Sequence, residues 1–408
     1  MSILHINTSD IQGGAAIASY RLHQGLLSQG IDSKMLVNIQ KTDSDRIATI
    51  KRQRYFEKFI SSFSYFSGLN YVNIISSYNI IKHPFYNEAD ILNFHNLHGG
   101  YFNYLAIPKL TKNKPALYTL HDMWSFSGHC AYSYDCNKWQ TCCGKCPYLD
   151  TYPRAYRDNT RIEWKLKKWV YNRSNLTIIT PSQWLAEDVK KSMLKLFSIH
   201  QIPYGIDTET YQPLDPILCR RVLNISPYQK VLLFVAQNLN DVRKGGGDLL
   251  KTTLTHLPTT LKSDLLLLTI GNGGEKIAET VGINTLNLGY ISGDRLKAIA
   301  YSASDLFILP TRADNFPLAL LESMACGTPM VSFNIGGVPE LVRHGVTGYL
   351  ARSEDTQDLA QAILKLFEDN ELRKRMSHNC RKLAIEEYSI ELQSKRYIEM
   401  ALKISSMK

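Results

Sequence analysis

Two carboxylates, Asp314 and Glu322, lie in a stretch that has the pattern of a loop followed by a helix. Pro317 suits the start of that helix, where its missing N–H is not needed, and Gly327 followed by Pro329 is typical of a helix end. Carboxylate oxygens accept hydrogen bonds from ribose and sugar hydroxyl groups. Taken alone, however, two acids at this spacing are more often solvated surface charges.

A basic pair directly precedes three glycines in the same half of the chain. Arg243 and Lys244 would lie in a loop that enters a helix. Two cations beside exposed backbone amides form a favourable binding site for a diphosphate. The alternative is a solvated basic turn. Gly271 follows another apolar run, and a glycine there would let a ligand come close to the backbone.

A glycine pair, Gly13 and Gly14, follows the first apolar run and opens a predicted helix. Backbone N–H groups at a helix N-terminus attract anions, and glycine allows a ligand to approach them closely. The spacing is not that of a dinucleotide-binding motif, because the G-x-G-x-x-G pattern is absent and no acid closes the second predicted strand. We therefore expect a phosphate or acceptor loop rather than a dinucleotide site.

Three histidines and an aspartate follow two other apolar runs. His95 and His98 come after one run, and His121 and Asp122 end the next. A histidine at such a place can act as base, acid or hydrogen-bond partner of a sugar hydroxyl. For His95 and His98 a purely structural role stays equally open, whereas the adjacent His121 and Asp122 favour a functional role.

Five of the eight cysteines lie between Cys130 and Cys146. In a reducing compartment, such a cluster favours a metal over disulfides. Four thiolates would complete a tetrahedral zinc site, with Cys142 or His129 as a spare ligand: Cys130, Cys136, Cys143 and Cys146. A closed site of four ligands would be structural, and disulfides or free thiols remain alternatives.

The elements that must position these residues follow from the alternation of short apolar runs with longer amphipathic stretches. This alternation favours parallel strands joined by helices, hence an α/β fold. The pattern restarts after residues 202–216, which are rich in Pro, Gly and Asp. We therefore predict two Rossmann-like domains with parallel sheets facing a central cleft, and ligands of such sheets bind at the carboxyl ends of the strands.

The predicted boundaries are an N-terminal domain over 1–202, with a cysteine-rich insert at 128–149, and a C-terminal domain over 203–385. Residues 386–408 are expected to form a helix that packs back on the N-terminal domain. The length of 408 residues agrees with two domains of ordinary size.

The composition is that of a soluble protein, with 44% hydrophobic and 21% charged residues. No apolar run reaches the roughly 18 residues of a membrane span, and the N-terminus lacks the pattern of a signal peptide. We expect a cytoplasmic protein. The formal charge of +10 favours acidic partners, namely nucleotides, phospholipid headgroups or nucleic acid, without choosing among them.

Two basic and aromatic segments, 51–80 and 161–174, interrupt the alternation. Such segments can lie in a bilayer interface and give peripheral contact with the inner face of the cytoplasmic membrane. The alternative is a helix packed on the sheet with a solvated basic face. No nucleic-acid-binding motif accompanies these segments, so we expect no nucleic acid partner.

Taken together, these motifs resemble the family 4 glycosyltransferases, which have the GT-B fold and retain the configuration at the anomeric carbon. The resemblance extends over nearly the whole chain and is strongest at residues 314–342, which look like the E-x7-E region of the family. The "GGAA" at the N-terminus, "HD" at 121–122, "TPSQWL" and "IPYGIDTETYQP" agree with it. The chain looks closest to the branch that builds bacterial surface polysaccharides.

The resemblance implies roles for individual residues. Glu322 would hold the nucleotide ribose, Asp314 the donor sugar, and Lys244 with Arg243 the departing diphosphate, while His121 would contact the sugar near the reacting carbon. His121, Asp314 and Lys244 would thus be catalytic. The donor would also contact a further set, in part through backbone amides: Asn315, Phe316, Pro317, Leu318 and Gly271. Gly13, Gly14 and His95 would contact the acceptor or the phosphates.

The implied reaction is that of a hexosyltransferase, which moves a sugar with retention from a UDP- or GDP-linked donor to a glycan or lipid-linked acceptor. The product would be capsule, O-antigen or exopolysaccharide. Because a lysine and an arginine can stabilise the leaving diphosphate, no catalytic metal is expected, and any zinc would be structural. The alternatives are a nucleotide-sugar epimerase on the same fold and a zinc-stapled basic binding protein.

Two departures from the family pattern accompany the resemblance. The first acid is Asp314, which is one methylene shorter than the glutamate of the family. An arginine that often precedes the lysine by five or six residues is replaced by Leu239 or Asn238. Arg243 would have to supply the missing charge.

Overall fold

The chain folds into two compact units, as seen in a computed structural model that describes residues 1–406 apart from the side chains at positions 62, 63 and 65–67. The first unit comprises Met1–Gly205 together with the chain from Glu391 onward, and the second comprises Ile206–Ile390. The first division lies three residues beyond the predicted boundary after 202, and the second lies five residues beyond the predicted boundary after 385.

Thirteen strands occur within residues 1–406 and form two sheets. The strands are β1 (Ser2–Ser9), β2 (Asp32–Ile39), β3 (Ile47–Thr49), β4 (Ile91–Phe94), β5 (Ala116–Thr119), β6 (Leu176–Thr180), β7 (Ile199–Gln201), β8 (Lys230–Asn238), β9 (Leu265–Asn272), β10 (Asn284–Asn287), β11 (Leu306–Leu309), β12 (Met330–Phe333) and β13 (Gly348–Ala351).

The helices of the same described range alternate with these strands, as the sequence pattern predicts. They are α1 (Gly14–Ser28), α2 (Arg54–Ser67), α3 (Pro84–Glu88), α4 (Ile107–Leu110), α5 (Thr160–Tyr171), α6 (Gln183–Lys191), α7 (Pro216–Val222), α8 (Leu249–Thr255), α9 (Thr259–Asp264), α10 (Gly274–Val281), α11 (Asp294–Ala303), α12 (Leu318–Ala325), α13 (Val338–Leu341), α14 (Thr356–Glu368), α15 (Asn370–Tyr388) and α16 (Ile390–Ser406). Short 3-10 helices cover Ile75–Lys82, Tyr104–Ala106, Lys138–Gln140 and Val242–Lys244.

The first sheet has the strand order β3-β2-β1-β4-β5-β6-β7, and its pairs are parallel. The order reverses between β1 and β4, where Ile6 lies opposite Phe94. Such a reversal is the topological switch point, beside which ligands of open α/β sheets bind. The chain leaves β1 towards Gly13 and leaves β4 towards His95 at this place.

The second sheet has the order β10-β9-β8-β11-β12-β13 and is also parallel. Its order reverses between β8 and β11, where Leu232 lies opposite Leu306. Strands β9, β11 and β12 are buried on both faces, which explains why they read as continuous apolar runs. Two parallel, doubly covered sheets confirm the predicted α/β class.

The last helix belongs to the first unit from Glu391 onward. Its buried residues Tyr397 and Ala401 pack with Ile3 of β1 and Leu22 of α1 in one apolar cluster. The hydroxyl of Tyr397 also lies 3.0 Å from the hydroxyl of Thr119, at the end of β5. This packing explains why the C-terminal stretch carries apolar residues among basic ones.

Local signals in the sequence account for both ends of α6. The hydroxyl of Ser182 accepts a hydrogen bond of 3.1 Å from the amide of Leu185 and so caps the N-terminus of α6. The basic residues Lys190 and Lys191 occupy the last turn of this helix, where they complement the helix dipole.

None of the helices within residues 1–406 is both long enough and apolar enough to span a membrane.

Candidate functional site

The switch point of the second sheet brings together residues that are far apart in sequence. Lys244 lies in the loop after β8, and Asp314 lies in the loop after β11, so both loops leave the same edge of the sheet. The Lys244 ammonium group bonds to the Asp314 carboxylate. The Arg243 guanidinium group lies 3.5 Å from the same carboxylate. Three of the predicted site residues therefore form one charged cluster.

Backbone contacts hold the two loops of this cluster together. The amide of Arg312 donates to the carbonyl of Arg243 at 2.8 Å, and the Thr311 hydroxyl donates to the same carbonyl at 3.0 Å. In return, the guanidinium group of Arg243 donates to the carbonyl of Ala313 at 2.9 Å. The loops are thus positioned by the fold as well as by charge.

The cluster is partly withdrawn from water. The Asp314 side chain is 9% exposed and the Lys244 side chain is 20% exposed. Burial lowers the pKa of Lys244 below its ordinary value; Asp314 acts to raise this pKa, and Arg243 lowers it further. Lys244 therefore does not lie in a solvated basic turn, which was the alternative interpretation of its sequence.

Glu322 is likewise an internal residue. It lies on α12 and is only 5% exposed, although carboxylates are seldom buried without partners. The Tyr301 hydroxyl donates a hydrogen bond of 3.3 Å to its carboxylate. Neither Asp314 nor Glu322 is the solvated surface charge that the sequence left open. No sequence motif identified Tyr301, which comes from the neighbouring helix α11.

The residues between the two acids build the start of α12. Asn315 is buried, and the ring of Phe316 packs 5.8 Å from that of Tyr388. Pro317 immediately precedes the helix, and Leu318 is its half-buried first residue. No side chain among the described residues caps this end of the helix. Contact of these four residues with a donor stays a prediction.

Gly271 has a packing reason for being glycine. Its φ of 146° is unfavourable for other residues, and a Cβ atom there would lie 1.9 Å from the carbonyl oxygen of Ala236 in β8. Its amide donates to the carbonyl of Gly289 at 2.8 Å. Close approach of two strands therefore explains this glycine, and its predicted role in donor binding remains untested.

Gly13 and Gly14 lie at the switch point of the first sheet and have a different setting. Gly13 has a φ of 96°, and Cβ atoms built at either glycine would meet no atom within 4 Å among the described residues. No side chain of the described structure caps α1, and its first turn carries no acidic residue. Open space beside the amides of a helix start is what an anion or a polar acceptor would need.

A file of hydrogen-bonded side chains crosses the first sheet at the same edge. His5 Nδ1 lies 2.9 Å from His95 Nε2, and His95 Nδ1 lies 3.0 Å from His121 Nε2. His121 Nδ1 lies 2.6 Å from the Tyr204 hydroxyl. The predicted residues His95 and His121 are therefore direct partners. The sequence did not identify His5 or Tyr204, because one lies inside a strand and the other in the break between domains.

A neighbouring asparagine gives this file a direction. Its amide nitrogen, Asn93 Nδ2, lies 3.4 Å from His5 Nδ1 and can only donate. His5 Nδ1 must then accept from His95 Nε2–H, and His95 Nδ1 must accept from His121 Nε2–H. The Tyr204 hydroxyl is left to donate to His121 Nδ1.

Burial keeps these histidines neutral. Burial, with a smaller contribution from His23, lowers the pKa of His5 to about 3. Burial also lowers the pKa of His121 to about 4 and holds that of His95 well below its ordinary value. A neutral His121 can exchange hydrogen bonds with a hydroxyl group but carries no charge at pH 7.

The other two residues of the predicted set, His98 and Asp122, form an ion pair or hydrogen bond of 2.8 Å, a pairing that the sequence did not indicate. The second oxygen of Asp122 accepts from the amide of Trp124 at 2.9 Å, and His98 Nδ1 lies 3.2 Å from the Tyr152 hydroxyl. Burial acts to raise the pKa of Asp122, but His98 and the Trp124 amide outweigh it, so that the pKa is lowered. Because His98 is buried with both nitrogens engaged, a positioning role suits it.

The cysteine cluster differs from the predicted set of four thiolates. Within the described residues, the ligand atoms of His129, Cys130 and Cys146 lie within 4.8 Å of one another, and Cys136 and Cys143 lie outside this group. His129, predicted only as a spare, takes their place because it directly precedes Cys130 in an irregular loop. All eight cysteines are free thiols in the structure.

Family models match both units. The model described as Glycosyltransferase Family 4 matches residues 12–210, and that described as Glycosyl transferases group 1 matches residues 219–383. Over 390 residues the chain is 26% identical to the putative colanic acid biosynthesis glycosyl transferase WcaC of Escherichia coli (strain K12), covering 89% of this chain and 92% of the relative. It is 28% identical over 190 residues to the N-acetyl-alpha-D-glucosaminyl L-malate synthase of Bacillus anthracis, 46% of this chain and 49% of that protein.

Solved structures share the fold at low identity. Sucrose-phosphate synthase from Thermosynechococcus elongatus has a TM-score of 0.72 at 18% identity, and each chain is covered completely. Anabaena HepE in complex with UDP-glucose has a TM-score of 0.71 at 16% identity, covering 99% of this chain and 100% of HepE.

Two Rossmann-like units with polar residues at their switch points define the GT-B class of α/β proteins. The chain belongs to the family 4, group 1 glycosyltransferases, and it is a glycosyltransferase.

Proposed function

We propose that this enzyme transfers a hexose, with retention, from a UDP- or GDP-linked donor to a glycan or lipid-linked acceptor of a bacterial surface polysaccharide. The single observation that carries the proposal is the cluster of Arg243, Lys244 and Asp314 at the switch point of the second sheet. The similarity to a putative colanic acid glycosyltransferase supports the polysaccharide class. The UDP-glucose complex of HepE supports the donor class.

The second unit would hold the donor. Lys244 and Arg243 would neutralise the diphosphate as the bond to the sugar breaks, the role that a divalent cation has in other transferases. Donor binding would replace part of the contact between Lys244 and Asp314, leaving the Asp314 carboxylate to accept hydrogen bonds from sugar hydroxyls. Glu322 would accept hydrogen bonds from the ribose.

The first unit would hold the acceptor and the reacting end of the sugar. The open space at Gly13 and Gly14 suits a phosphate or a hydroxyl-rich acceptor near the first turn of α1. His121 is neutral and already bonded to His95 and Tyr204. We propose that it exchanges one of these hydrogen bonds for a sugar hydroxyl, and that the rest of the file keeps its ring in place.

The test is a screen of UDP- and GDP-sugars with and without a lipid-linked or glycan acceptor. Nucleotide release that depends on the acceptor supports transfer, and an unchanged anomeric configuration in the product, read from proton NMR coupling, supports retention. Interconversion of the free nucleotide-sugar without acceptor would instead identify an epimerase. Absence of donor binding would favour a binding protein and overturn the proposal.

Peripheral contact with an anionic membrane surface is the second part of this proposal. On α2, Tyr55 and Phe59 are 93% and 85% exposed, next to the exposed cations Arg54 and Lys58. On α5, Trp169 is 49% exposed. Exposed aromatic rings among cations suit a bilayer interface that carries anionic lipids. Part of the predicted segment 51–80, the side chains at 62, 63 and 65–67, lies outside the described residues.

Co-sedimentation with vesicles tests this contact. Wild-type protein should bind vesicles that contain phosphatidylglycerol more strongly than vesicles of phosphatidylcholine alone, and the double variant Tyr55→Ser, Phe59→Ser should lose most of this binding. Tyr228→Ser, at a tyrosine that is 95% exposed in the second unit, is the matched control. Equal binding by the double variant and the control would refute the assigned surface.

A further inference from the structure

We propose that His129, Cys130, Cys143 and Cys146 bind one structural Zn²⁺ ion in the first unit. The proposal concerns a part of the molecule that the transfer reaction does not use. It differs from the four-thiolate set expected from the sequence, because an imidazole replaces the thiolate of Cys136.

The distances among three of the ligand atoms fit a tetrahedral zinc ion. Cys130 Sγ lies 3.9 Å from Cys146 Sγ, and His129 Nε2 lies 3.5 Å from the first sulfur and 3.3 Å from the second. With the usual Zn–S and Zn–N bond lengths, the edges of a tetrahedron are about 3.8 Å between sulfurs and about 3.5 Å between sulfur and nitrogen. The separation of the two sulfurs far exceeds the roughly 2 Å of a disulfide.

The surroundings of His129 prepare its ring for a metal. Its Nδ1 atom lies 3.0 Å from the carbonyl oxygen of Pro153, which can only accept, so Nδ1 carries the proton. The unprotonated Nε2 therefore faces the two thiols. Metal-bound histidines generally donate their other N–H to a carbonyl or carboxylate in this way.

The fourth ligand is assigned to Cys143. It is separated from Cys146 by two residues within C-G-K-C, a spacing typical of zinc sites. Its sulfur accepts a hydrogen bond of 3.2 Å from the amide of Gly128, the residue that precedes His129. Cys143 and Cys136 both line the small cavity that contains His129, Cys130 and Cys146, so the hydrogen bond to Gly128 and the C-G-K-C spacing decide for Cys143. Its sulfur must move closer to complete the tetrahedron.

A metal here would give shape to a segment with little regular structure. Between β5 and α5, the described residues form one 3-10 helix, Lys138–Gln140, and no strand. The segment returns to the candidate site, because the amide of Ala131 donates to the carbonyl of Tyr152, whose hydroxyl contacts His98. A closed site with four protein ligands is structural and leaves no position for a substrate.

Metal analysis of the purified full-length protein tests the proposal. Wild-type protein from zinc-supplemented medium should carry about one equivalent of zinc, and cobalt substitution should give the absorption bands of a tetrahedral thiolate site. Folded protein that contains no zinc and takes up neither added zinc nor added cobalt would overturn the site, as would mass spectrometry showing a disulfide among these cysteines. These measurements stand even if a variant fails to fold.

Variants then test the ligand set. Cys146→Ser, Cys143→Ser and His129→Asn should each lose most of the zinc, while Cys142→Ser and Cys136→Ser should keep it. Cys142 is the matched control, because it adjoins Cys143 but does not line the cavity. Loss of zinc from Cys136→Ser with retention in Cys143→Ser would overturn the assignment of the fourth ligand. Nucleotide binding by the second unit should persist in these variants, which separates this proposal from that of the donor site.

Discussion

The Lys244 ammonium group is bonded to the Asp314 carboxylate, although the two residues are 70 positions apart in sequence. The contact exists because β8 and β11 are neighbours in the second sheet and the loops after them leave at the same edge. The cation proposed to bind the diphosphate and the acid proposed to bind the sugar are therefore paired with each other in this structure. On the proposed function, a donor would have to compete with this pair.

Glu322→Ala should weaken donor binding without unfolding the protein. A hydrogen bond to a charged group contributes about 1.5–3 kcal/mol, which corresponds to a loss of roughly 10- to 150-fold in affinity. Calorimetric titration with the donor found in the screen measures this loss, and circular dichroism checks the fold. Glu371→Ala, at an exposed glutamate paired with Lys374 on α15, is the control and should bind like the wild type. Unchanged binding by Glu322→Ala would refute the ribose role.

The affinity for the donor should decrease as the pH rises through the pKa of Lys244, because only the protonated amine neutralises the diphosphate. Burial lowers that pKa, so the decrease should begin at a lower pH than for an ordinary lysine. Asp314→Asn removes the charge that raises the pKa and should move the decrease to still lower pH. Lys244→Arg should abolish it, since arginine stays protonated.

The measurement is the dissociation constant of the donor across the alkaline range for the three proteins. If the donor affinity of wild type and of Asp314→Asn decreased at the same pH, the coupling between Lys244 and Asp314 would be contradicted. If the donor affinity of Lys244→Arg still decreased with pH, the titrating group would be a residue other than Lys244.

Gly14→Ala should reduce transfer without harming the fold. A Cβ atom there meets no described atom within 4 Å, and alanine favours helix over glycine. A merely structural glycine would thus tolerate the change, whereas a ligand that approaches the backbone would meet the added methyl group. Initial rates over a range of acceptor and donor concentrations, together with the melting temperature, distinguish these cases. Gly293→Ala, which also faces open space, is the control. Full activity of Gly14→Ala would refute the proposed contact between a ligand and the backbone at Gly14.

The first unit should lose stability in acid through its buried histidines. The pKa of His121 is lowered from an ordinary 6.5 to about 4, so the unfolded chain takes up a proton that the folded chain does not. The stabilisation is therefore complete above about pH 6.5 and is lost as the pH falls towards 4, by about 1.4 kcal/mol for each unit of pKa difference. Native-state hydrogen exchange of β1 amides between these pH values measures the trend.

His95→Gln provides the comparison for this acid effect, because it removes the middle of the file while keeping groups able to form hydrogen bonds. Its stability should depend less on pH than that of the wild type over the same window. If the stability of both proteins depended equally on pH, the acid-sensitive groups would not be the histidines of this file.

Much of the site could be predicted from the sequence because it follows strand ends. Runs such as "KVLLFVAQ" and "DLFILPT" read as buried parallel strands, so Lys244 and Asp314 could be placed in loops after them. The three-residue strands β3 and β7 gave no such signal, because so short a segment shows no periodicity. Partners such as Tyr204 and Tyr301 were also missed, since a tyrosine in a turn or a helix carries no motif.

By itself, the sequence determined the α/β class, the two Rossmann-like halves and the polar loops that follow their strands. The spacing of hydrophobic residues and the residues typical of helix ends are local properties of the chain. Only the tertiary structure decided which of these residues touch. Strand order paired Lys244 with Asp314 and His95 with His121, and it buried Glu322 beside Tyr301. The path of the irregular segment between β5 and α5 brought His129 to Cys130 and Cys146 and left Cys136 and Cys143 outside that group. Contacts of this kind depend on the course of the backbone through three dimensions, which residue types and spacing alone do not specify.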